Sequence, residues 1–188
     1  MPRSKPPAKL TMLIVLPLLL LCHGLGKVHC STVHDNSEDF QSLVDFKNGI
    51  TNDPNGALNN WTSNTHLCRW NGVNCTLTRP YRVTQLILPG QNLASQISSS
   101  LGNLTYLNVL YLTNNRFNGP IPLLGKLQNL KYLLLGNNLL QGVIPDAITN
   151  CSNLVSLDLS KNNLTGVIPS RVGFLTKLES LLLNVNNL

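Results

Sequence analysis

The sequence has 188 residues, of which 43% are hydrophobic and 12% are charged. This length holds one ordinary domain or a short repeat array, and the apolar content excludes an intrinsically disordered chain. Four basic residues and no acidic ones lie in the first 30 positions, so the rest of the chain carries only +2 of the formal net charge of +6. Those remaining basic residues are scattered singly, which argues against nucleic-acid binding.

The N-terminal segment has the layout of a secretory signal peptide. Three basic residues precede the apolar run from Leu10 to Cys22, and small or neutral residues follow it. This run is shorter than the roughly 20 residues that a membrane-spanning helix needs, and Pro17 interrupts it. We therefore predict a signal peptide over residues 1–30, entry into the secretory pathway, and no membrane span in the mature fragment. Three cleavage positions stay open, after Gly24, Gly26 and Cys30.

Residues 31–82 do not repeat and are predicted to form an N-terminal cap. Glu38 and Asp39 suit the first turn of a helix, with Asn36 or Ser37 as its N-cap. An apolar face follows at helical spacing, made of Phe40, Leu43, Val44 and Ile50. A stack of repeats exposes its core at each end, so a first repeat requires such a cover.

Cysteines in a secreted chain are candidates for disulfides. Cys68 and Cys75 frame the short loop "CRWNGVNC", and we predict that one bridge closes it. A metal site with His66 is the alternative, but zinc sites usually have four ligands in tight C-x-x-C or H-x-x-x-H spacing, and that spacing is absent. Cys151 occupies an inward-facing repeat position where leucine is expected, and a buried thiol is predicted there.

The second half of the chain repeats. Self-similar segments start at residues 83, 107, 130, 154 and 178, spaced 24, 23, 24 and 24 residues apart. Each fits the pattern L-x-x-L-x-L-x-x-N-x-L, and fixed self-similarity at such a period indicates a stacked leucine-rich array. We assign residues 83–188 to these repeats. The fifth copy stops at its eleventh position, Leu188, and we expect it to be an interrupted repeat.

Each repeat has an L-x-L alternation that predicts a short strand. Its leucines point into the core: Leu110, Leu112, Leu133, Leu135, Leu157 and Leu159. An asparagine recurs where the chain leaves each strand, and its amide suits a buried turn: Asn115, Asn138, Asn162 and Asn186. Gln91 replaces it in the first repeat, where we expect a looser turn. Proline in the second half of the repeats favours an extended or irregular outer side rather than a long helix.

The segment from Asp39 to Trp61, followed by "CRWNGVNC", resembles the N-terminal cap of plant leucine-rich-repeat receptors. The 24-residue unit with Gly-x-Ile-Pro resembles the plant-specific repeat class. The motif matches at Gly119, Ile121 and Pro122, at Gly142, Ile144 and Pro145, and at Gly166, Ile168 and Pro169. The first repeat departs from it, with Ser95 and Ser98 at the glycine and proline positions, and the second repeat is one residue short. The resemblance covers residues 38–188.

This resemblance implies an α/β fold, a leucine-rich-repeat solenoid shaped as a right-handed horseshoe or superhelix, with a parallel concave β-sheet and a helical cap. It also implies the extracellular ligand- or partner-binding region of a receptor-like kinase, truncated before its transmembrane and kinase parts. The alternative is a secreted protein made of repeats alone, such as one resembling the inhibitors of pathogen polygalacturonases. Nucleotide-binding, kinase, hydrolase and metalloprotease motifs are absent from the sequence, so we expect no catalytic, cofactor or metal site in this chain.

Residues that point away from the core form columns on the concave face. One column is Ile87, Tyr111, Leu134, Asp158 and Leu182. The next column is Pro89, Thr113, Gly136, Ser160 and Asn184, and Lys131 and Tyr132 lie beside them. Exposed apolar groups often mark partner sites. We expect this face to bind an extracellular peptide, glycan or protein, with Tyr111, Tyr132 and Asp158 contributing most, and a co-receptor is a further expected partner.

The sequence contains Asn-x-Ser/Thr sequons at Asn60, Asn74, Asn103, Asn150 and Asn163. A glycan requires a surface site on a secreted chain, so position matters more than number. Asn103 and Asn150 occupy the same repeat position, away from the strand face, and are the first candidates. Asn74 adjoins Cys75, where the disulfide would hinder it.

Overall fold

A computed structural model describes residues 37–188. The predicted signal peptide and the candidate N-cap Asn36 lie outside these residues. The described chain begins with one α-helix, α1 (Ser37–Gly49). Within residues 37–188, no helix has the length and apolar character needed to cross a membrane.

The apolar face of α1 differs from the prediction. Leu43 and Phe46 are buried, but so are the polar residues Asp39 and Ser42. Phe40 and Val44 are only partly buried. The predicted face missed Asp39 because periodicity counts apolar residues alone, and a carboxylate is buried only where it has a partner elsewhere in the fold.

Six strands form the concave sheet, in the order β1-β2-β4-β6-β8-β10. Five of them, one per repeat, are parallel: β2 (Val83–Ile87), β4 (Val109–Tyr111), β6 (Tyr132–Leu134), β8 (Ser156–Asp158) and β10 (Ser180–Leu182). The sixth, β1 (Val73–Cys75), belongs to the cap and pairs antiparallel with β2. The cap thus covers the first edge of the sheet with backbone hydrogen bonds, which sequence periodicity did not predict.

A second parallel sheet runs along the outer side of the repeats. Its strands are β3 (Ala94–Gln96), β5 (Arg116–Gly119), β7 (Leu139–Gly142) and β9 (Asn163–Leu164). Short 3-10 helices follow three of them and complete the outer side: Ser99–Asn103, Asp146–Asn150 and Ser170–Phe174. The extended outer side was predicted from the prolines, whereas the pairing of these segments into a sheet was not.

The core lies between the two sheets. The six leucines predicted to point inward are all buried, with at most 1% of their surface exposed. Burial of each leucine side chain stabilises the fold by about 1.5–3 kcal/mol. At the cap end, the ring of Phe46 lies 6.1 Å from that of Phe117, so the cap and the repeats share one core. The predicted leucine-rich-repeat solenoid with a parallel sheet and a helical cap is confirmed.

The recurring asparagines form a hydrogen-bonded ladder between repeats, in which Asn115, Asn138 and Asn162 are buried and Asn186 is partly buried. The Asn138 amide donates to the carbonyl oxygens of Leu112 at 3.1 Å and Leu135 at 3.0 Å, and its Oδ1 accepts the Phe117 N–H at 3.0 Å. Asn115, Asn162 and Asn186 bond in the same manner. Each therefore ties its own turn to the preceding repeat.

Candidate ligand-binding face

The exposed side of the concave sheet consists of columns of residues in lateral register. Ile87 pairs with Tyr111, Tyr111 with Leu134, Leu134 with Asp158, and Asp158 with Leu182. The residues on either side of Ile87, Tyr111, Leu134 and Asp158 along the strand are buried in the core, whereas Leu181, beside Leu182 in the last strand, is 40% exposed. The predicted column is thus present, and we call it the central column.

The second predicted column continues beyond the ends of the strands. The backbone N–H of Asn114 donates to Gly136 O at 3.1 Å, and that of Asn137 donates to Ser160 O at 2.8 Å. These bonds keep Thr113, Gly136 and Ser160 side by side after the strands have ended. Pro89 and Asn184 complete this turn-side column.

A third column was not identified from the sequence, which placed Lys131 and Tyr132 beside the other two columns and named no further members. Strand register aligns Tyr132 with Val109 on one side and Ser156 on the other. Gln85 and Ser180 extend the row across the sheet. The two-residue period of a strand is the signal that would have found this column, because its members precede the central column by two positions.

Exposure differs along the face. Tyr132 is 40% exposed and Leu182 is 46% exposed, whereas Ile87, Tyr111 and Leu134 are half-buried. The Ile–Tyr–Leu run therefore offers less apolar surface than the sequence suggested. Lys131 is exposed immediately before β6, and its carbonyl oxygen accepts hydrogen bonds from the backbone N–H groups of Val155 at 2.8 Å and Ser156 at 3.0 Å.

Asp158 is held in a fixed orientation on this face. Its Oδ1 accepts the Ser160 backbone N–H at 2.9 Å and the Ser160 hydroxyl at 2.7 Å. Its Oδ2 lies over Gly136, where a Cβ atom would come within 2.6 Å of that oxygen. The absence of a side chain at Gly136 therefore makes room for the carboxylate.

Thr113, in the turn-side column, has a hydroxyl oxygen that is buried and makes no hydrogen bond to the described residues. A buried hydroxyl without a partner carries a cost of about 1–3 kcal/mol. We find no structural reason for a threonine at this position.

The cap contains the predicted disulfide. Cys68 and Cys75 are bonded to each other, with their Cα atoms 5.6 Å apart. His66 Nδ1 accepts the Cys68 backbone N–H at 3.2 Å. The three side chains of the alternative metal site therefore already have bonding partners, two in the disulfide and one in this hydrogen bond. Trp61 and Trp70 stack beside the loop with their ring centroids 5.0 Å apart.

Cys151 is a buried free thiol near the end of the third repeat, as its inward position predicted. Its Sγ donates to Leu124 O at 3.5 Å. Burial raises the pKa of the thiol from 9.0 to about 11. A thiol that resists ionisation is a poor nucleophile, so this residue packs rather than reacts.

The sequons differ in accessibility. Asn150 is exposed at the end of a 3-10 helix, whereas Asn103, at the matching position of the earlier 3-10 helix, is half-buried. Asn60 and Asn74 are exposed but make side-chain hydrogen bonds, and Asn163 is exposed within β9. Asn150 and Asn163 therefore have more accessible side chains than Asn60, Asn74 and Asn103, and glycosylation at all five positions stays a prediction.

Comparison with known proteins shows that the chain matches leucine-rich-repeat families. It matches the family described as "Leucine rich repeat N-terminal domain" over residues 36–76 and leucine-rich-repeat families over residues 106–127 and 128–188. Phytosulfokine receptor 1 of Arabidopsis thaliana is 35% identical over 130 residues, which are 69% of this chain and 13% of the receptor. The chain spans only 8% to 14% of the lengths of such curated relatives.

Solved structures share the fold. The BIR2 ectodomain from Arabidopsis thaliana has a TM-score of 0.74 and 36% identity, and the match covers 79% of this chain and 80% of that one. A plant ice-binding protein gives a TM-score of 0.75 and 33% identity over 80% of this chain and 49% of its own. The ectodomain of the Arabidopsis receptor kinase HAESA, solved with a peptide hormone ligand, has a TM-score of 0.59 and 28% identity. That match covers 80% of this chain and 29% of the HAESA chain. With its N-terminal cap and plant-type repeats, the chain belongs to the plant leucine-rich-repeat receptor-like kinase family and corresponds to part of the ectodomain.

Proposed function

We propose that the concave face of this chain binds an extracellular peptide as part of the ectodomain of a receptor-like kinase. In this proposal the chain enters the secretory pathway and acts on the outer side of the plasma membrane. The observation that carries the proposal is the three-column face, in which Tyr111, Tyr132 and Leu134 place large side chains next to one another. Tyrosine provides contact area together with a polar end, which suits recognition of a peptide.

A flat row of parallel strands fits an extended ligand. Adjacent strands lie about 4.8 Å apart, so five repeats present a row of about 20 Å from the first strand to the last. An extended chain rises about 3.3 Å per residue, and six or seven residues match that length. The HAESA ectodomain, which shares this fold, was solved with a peptide hormone.

Binding of selected peptides tests the proposal. Peptides would be selected from a random dodecapeptide phage library on the secreted protein, and their Kd values measured on Tyr111→Ala and Tyr132→Ala variants. We expect each substitution to weaken binding at least tenfold, equivalent to about 1.4 kcal/mol. Phe174→Ala is the matched control, because this aromatic residue is 77% exposed and lies in an outer 3-10 helix. Phe174→Ala should bind at full affinity, and full affinity in both tyrosine variants would overturn the proposal.

A secreted protein made of repeats alone is the second candidate. The match to a plant ice-binding protein favours it, because that match shows the solenoid in a protein described by a different activity. A longer transcript read distinguishes the two. A downstream apolar segment followed by kinase motifs supports the receptor, and a stop codon after a closing cysteine cap supports the secreted protein.

A further inference from the structure

The charge on the concave face is concentrated at one point. The three columns contain fifteen residues, and Asp158 is the only one with an ionisable acidic or basic side chain, tyrosines aside. Its neighbours in the central column are Leu134 and Leu182. A carboxylate between two leucines on an otherwise neutral face marks a specific position rather than a general acidic surface.

The carboxylate has one oxygen available to a ligand. Both hydrogen bonds from Ser160 go to Oδ1, and Oδ2 accepts none from the described residues. Asp158 also forms no ion pair within residues 37–188. The bonds from Ser160 fix the direction of Oδ2 before a ligand arrives, so little conformational entropy is lost on binding.

We propose that the peptide ligand carries a lysine or arginine whose cationic group bonds to Asp158 Oδ2, an inference that rests on the proposed function. The aliphatic stem of such a side chain packs on Leu134 or Leu182, since long basic side chains lie along apolar surface and keep their charge at a polar group. One free oxygen suits a single N–H donor, so lysine satisfies the site as well as arginine does. Tyr111 lies two strands away, about 10 Å, and contacts the neighbouring part of the peptide.

An acidic ligand is the competing outcome. Lys131 and Lys161 are exposed near the ends of β6 and β8 and offer positive charge outside the three columns. Exposed lysines are solvated and mobile, and an ion pair at such a site contributes about 0–1 kcal/mol. The Asp158 carboxylate is held in place beside the half-buried Leu134 and is less screened by solvent, so it decides whether the ligand is basic or acidic.

The experiment uses the same random dodecapeptide library. We expect selected peptides to share a lysine or arginine between apolar residues, and replacement of that residue by norleucine to weaken binding to the native protein at least tenfold. On Asp158→Asn, the same replacement should change affinity less than twofold. Asp146→Asn is the matched control, because Asp146 is an exposed acid on an outer 3-10 helix and should leave the preference intact.

The outcomes separate the two proposals. Selected peptides that lose affinity on Tyr111→Ala but contain no shared basic residue, or a shared acidic one, overturn the inference and leave the proposed function standing. Selected peptides that bind Tyr111→Ala and Tyr132→Ala at full affinity overturn the proposed function. The Tm of Asp158→Asn serves as the control for folding. If it equals that of the native protein, a lost preference for basic peptides comes from the charge and not from the fold.

Discussion

Asp39 in the cap helix and Arg82 before the first repeat strand form a two-point ion pair across 43 residues of sequence. Arg82 Nη2 donates to Oδ1 at 3.0 Å and Nε donates to Oδ2 at 3.1 Å, and Oδ2 also accepts the Val83 N–H at 2.8 Å. The hydrogen bond to Asp39 raises the pKa of Arg82 above its ordinary value, against the lowering effect of burial. Arg82 also donates to Thr105 at 3.1 Å and lies over the Tyr106 ring at 4.3 Å. These contacts join the cap helix to both ends of the first repeat.

Asp39→Ala should destabilise the chain by about 3–5 kcal/mol, because it leaves a largely buried guanidinium and a backbone N–H without their partner. The free energy of unfolding in urea measures this loss. Asp45→Ala is the control, since Asp45 is exposed on the same helix and, within residues 37–188, its carboxylate accepts a hydrogen bond only from the Gln41 amide. A control loss equal to that of Asp39→Ala would show that helix propensity, not the ion pair, matters.

Asn138→Ala should cost about 3 kcal/mol, because it removes donors to two carbonyl oxygens and the acceptor of a buried N–H. Gln91→Ala should cost only about 0.5–1 kcal/mol, since the Gln91 amide makes one hydrogen bond, to Pro89 O at 2.9 Å. Urea unfolding of both variants gives the comparison. Equal losses would mean that the first turn is as tightly bonded as the third, contrary to the looser turn predicted there.

Lys161→Asn should stabilise the chain by about 0.5–1 kcal/mol. Lys161 has a positive φ of 53°, at the position where the two preceding repeats have Asn114 and Asn137. Asparagine adopts this left-handed conformation more readily than lysine does. The Tm should therefore rise, while Lys126→Asn, at an exposed residue without a positive φ, should leave it unchanged or lower it. A fall in Tm for Lys161→Asn would show that the left-handed backbone of Lys161 does not destabilise the native chain.

The buried thiol of Cys151 predicts a loss of stability at alkaline pH. An unfolded thiol ionises near 9.0, whereas the folded one keeps its proton up to about 11. The unfolded state therefore loses its proton first, so this contribution is complete below pH 9 and declines as the pH rises to about 11, by at most about 1.4 kcal/mol per pH unit.

Cys151→Ala tests this dependence. The variant should be less stable at pH 8 because it leaves a cavity, and its deficit relative to the native chain should shrink as the pH approaches 11. Other titrating groups are common to both proteins and cancel in the difference. A deficit that stays constant across this range would refute the role of the thiol.

The local pattern was sufficient for the repeats. Each repeat of 23 or 24 residues contributes one strand, so residues at the same position of successive repeats lie side by side in the sheet. For this reason Tyr111, Leu134 and Asp158 align as predicted. The same period located the asparagine ladder. The column containing Tyr132 was not predicted, because its members, among them Val109 and Ser156, differ in size and polarity and show no recurring residue type.

The sequence by itself determined the stacking, because each repeat buries its leucines against a neighbour with the same leucine pattern and the period encodes that contact. Only the tertiary structure decided how the cap joins the array. The pairing of β1 with β2 and the bond between Asp39 and Arg82 each involve cap residues that have no counterpart in the repeats. The repeat period therefore could not predict these contacts. A carboxylate in a first helical turn is ordinarily solvated, and burial became favourable only when folding brought Arg82 to it.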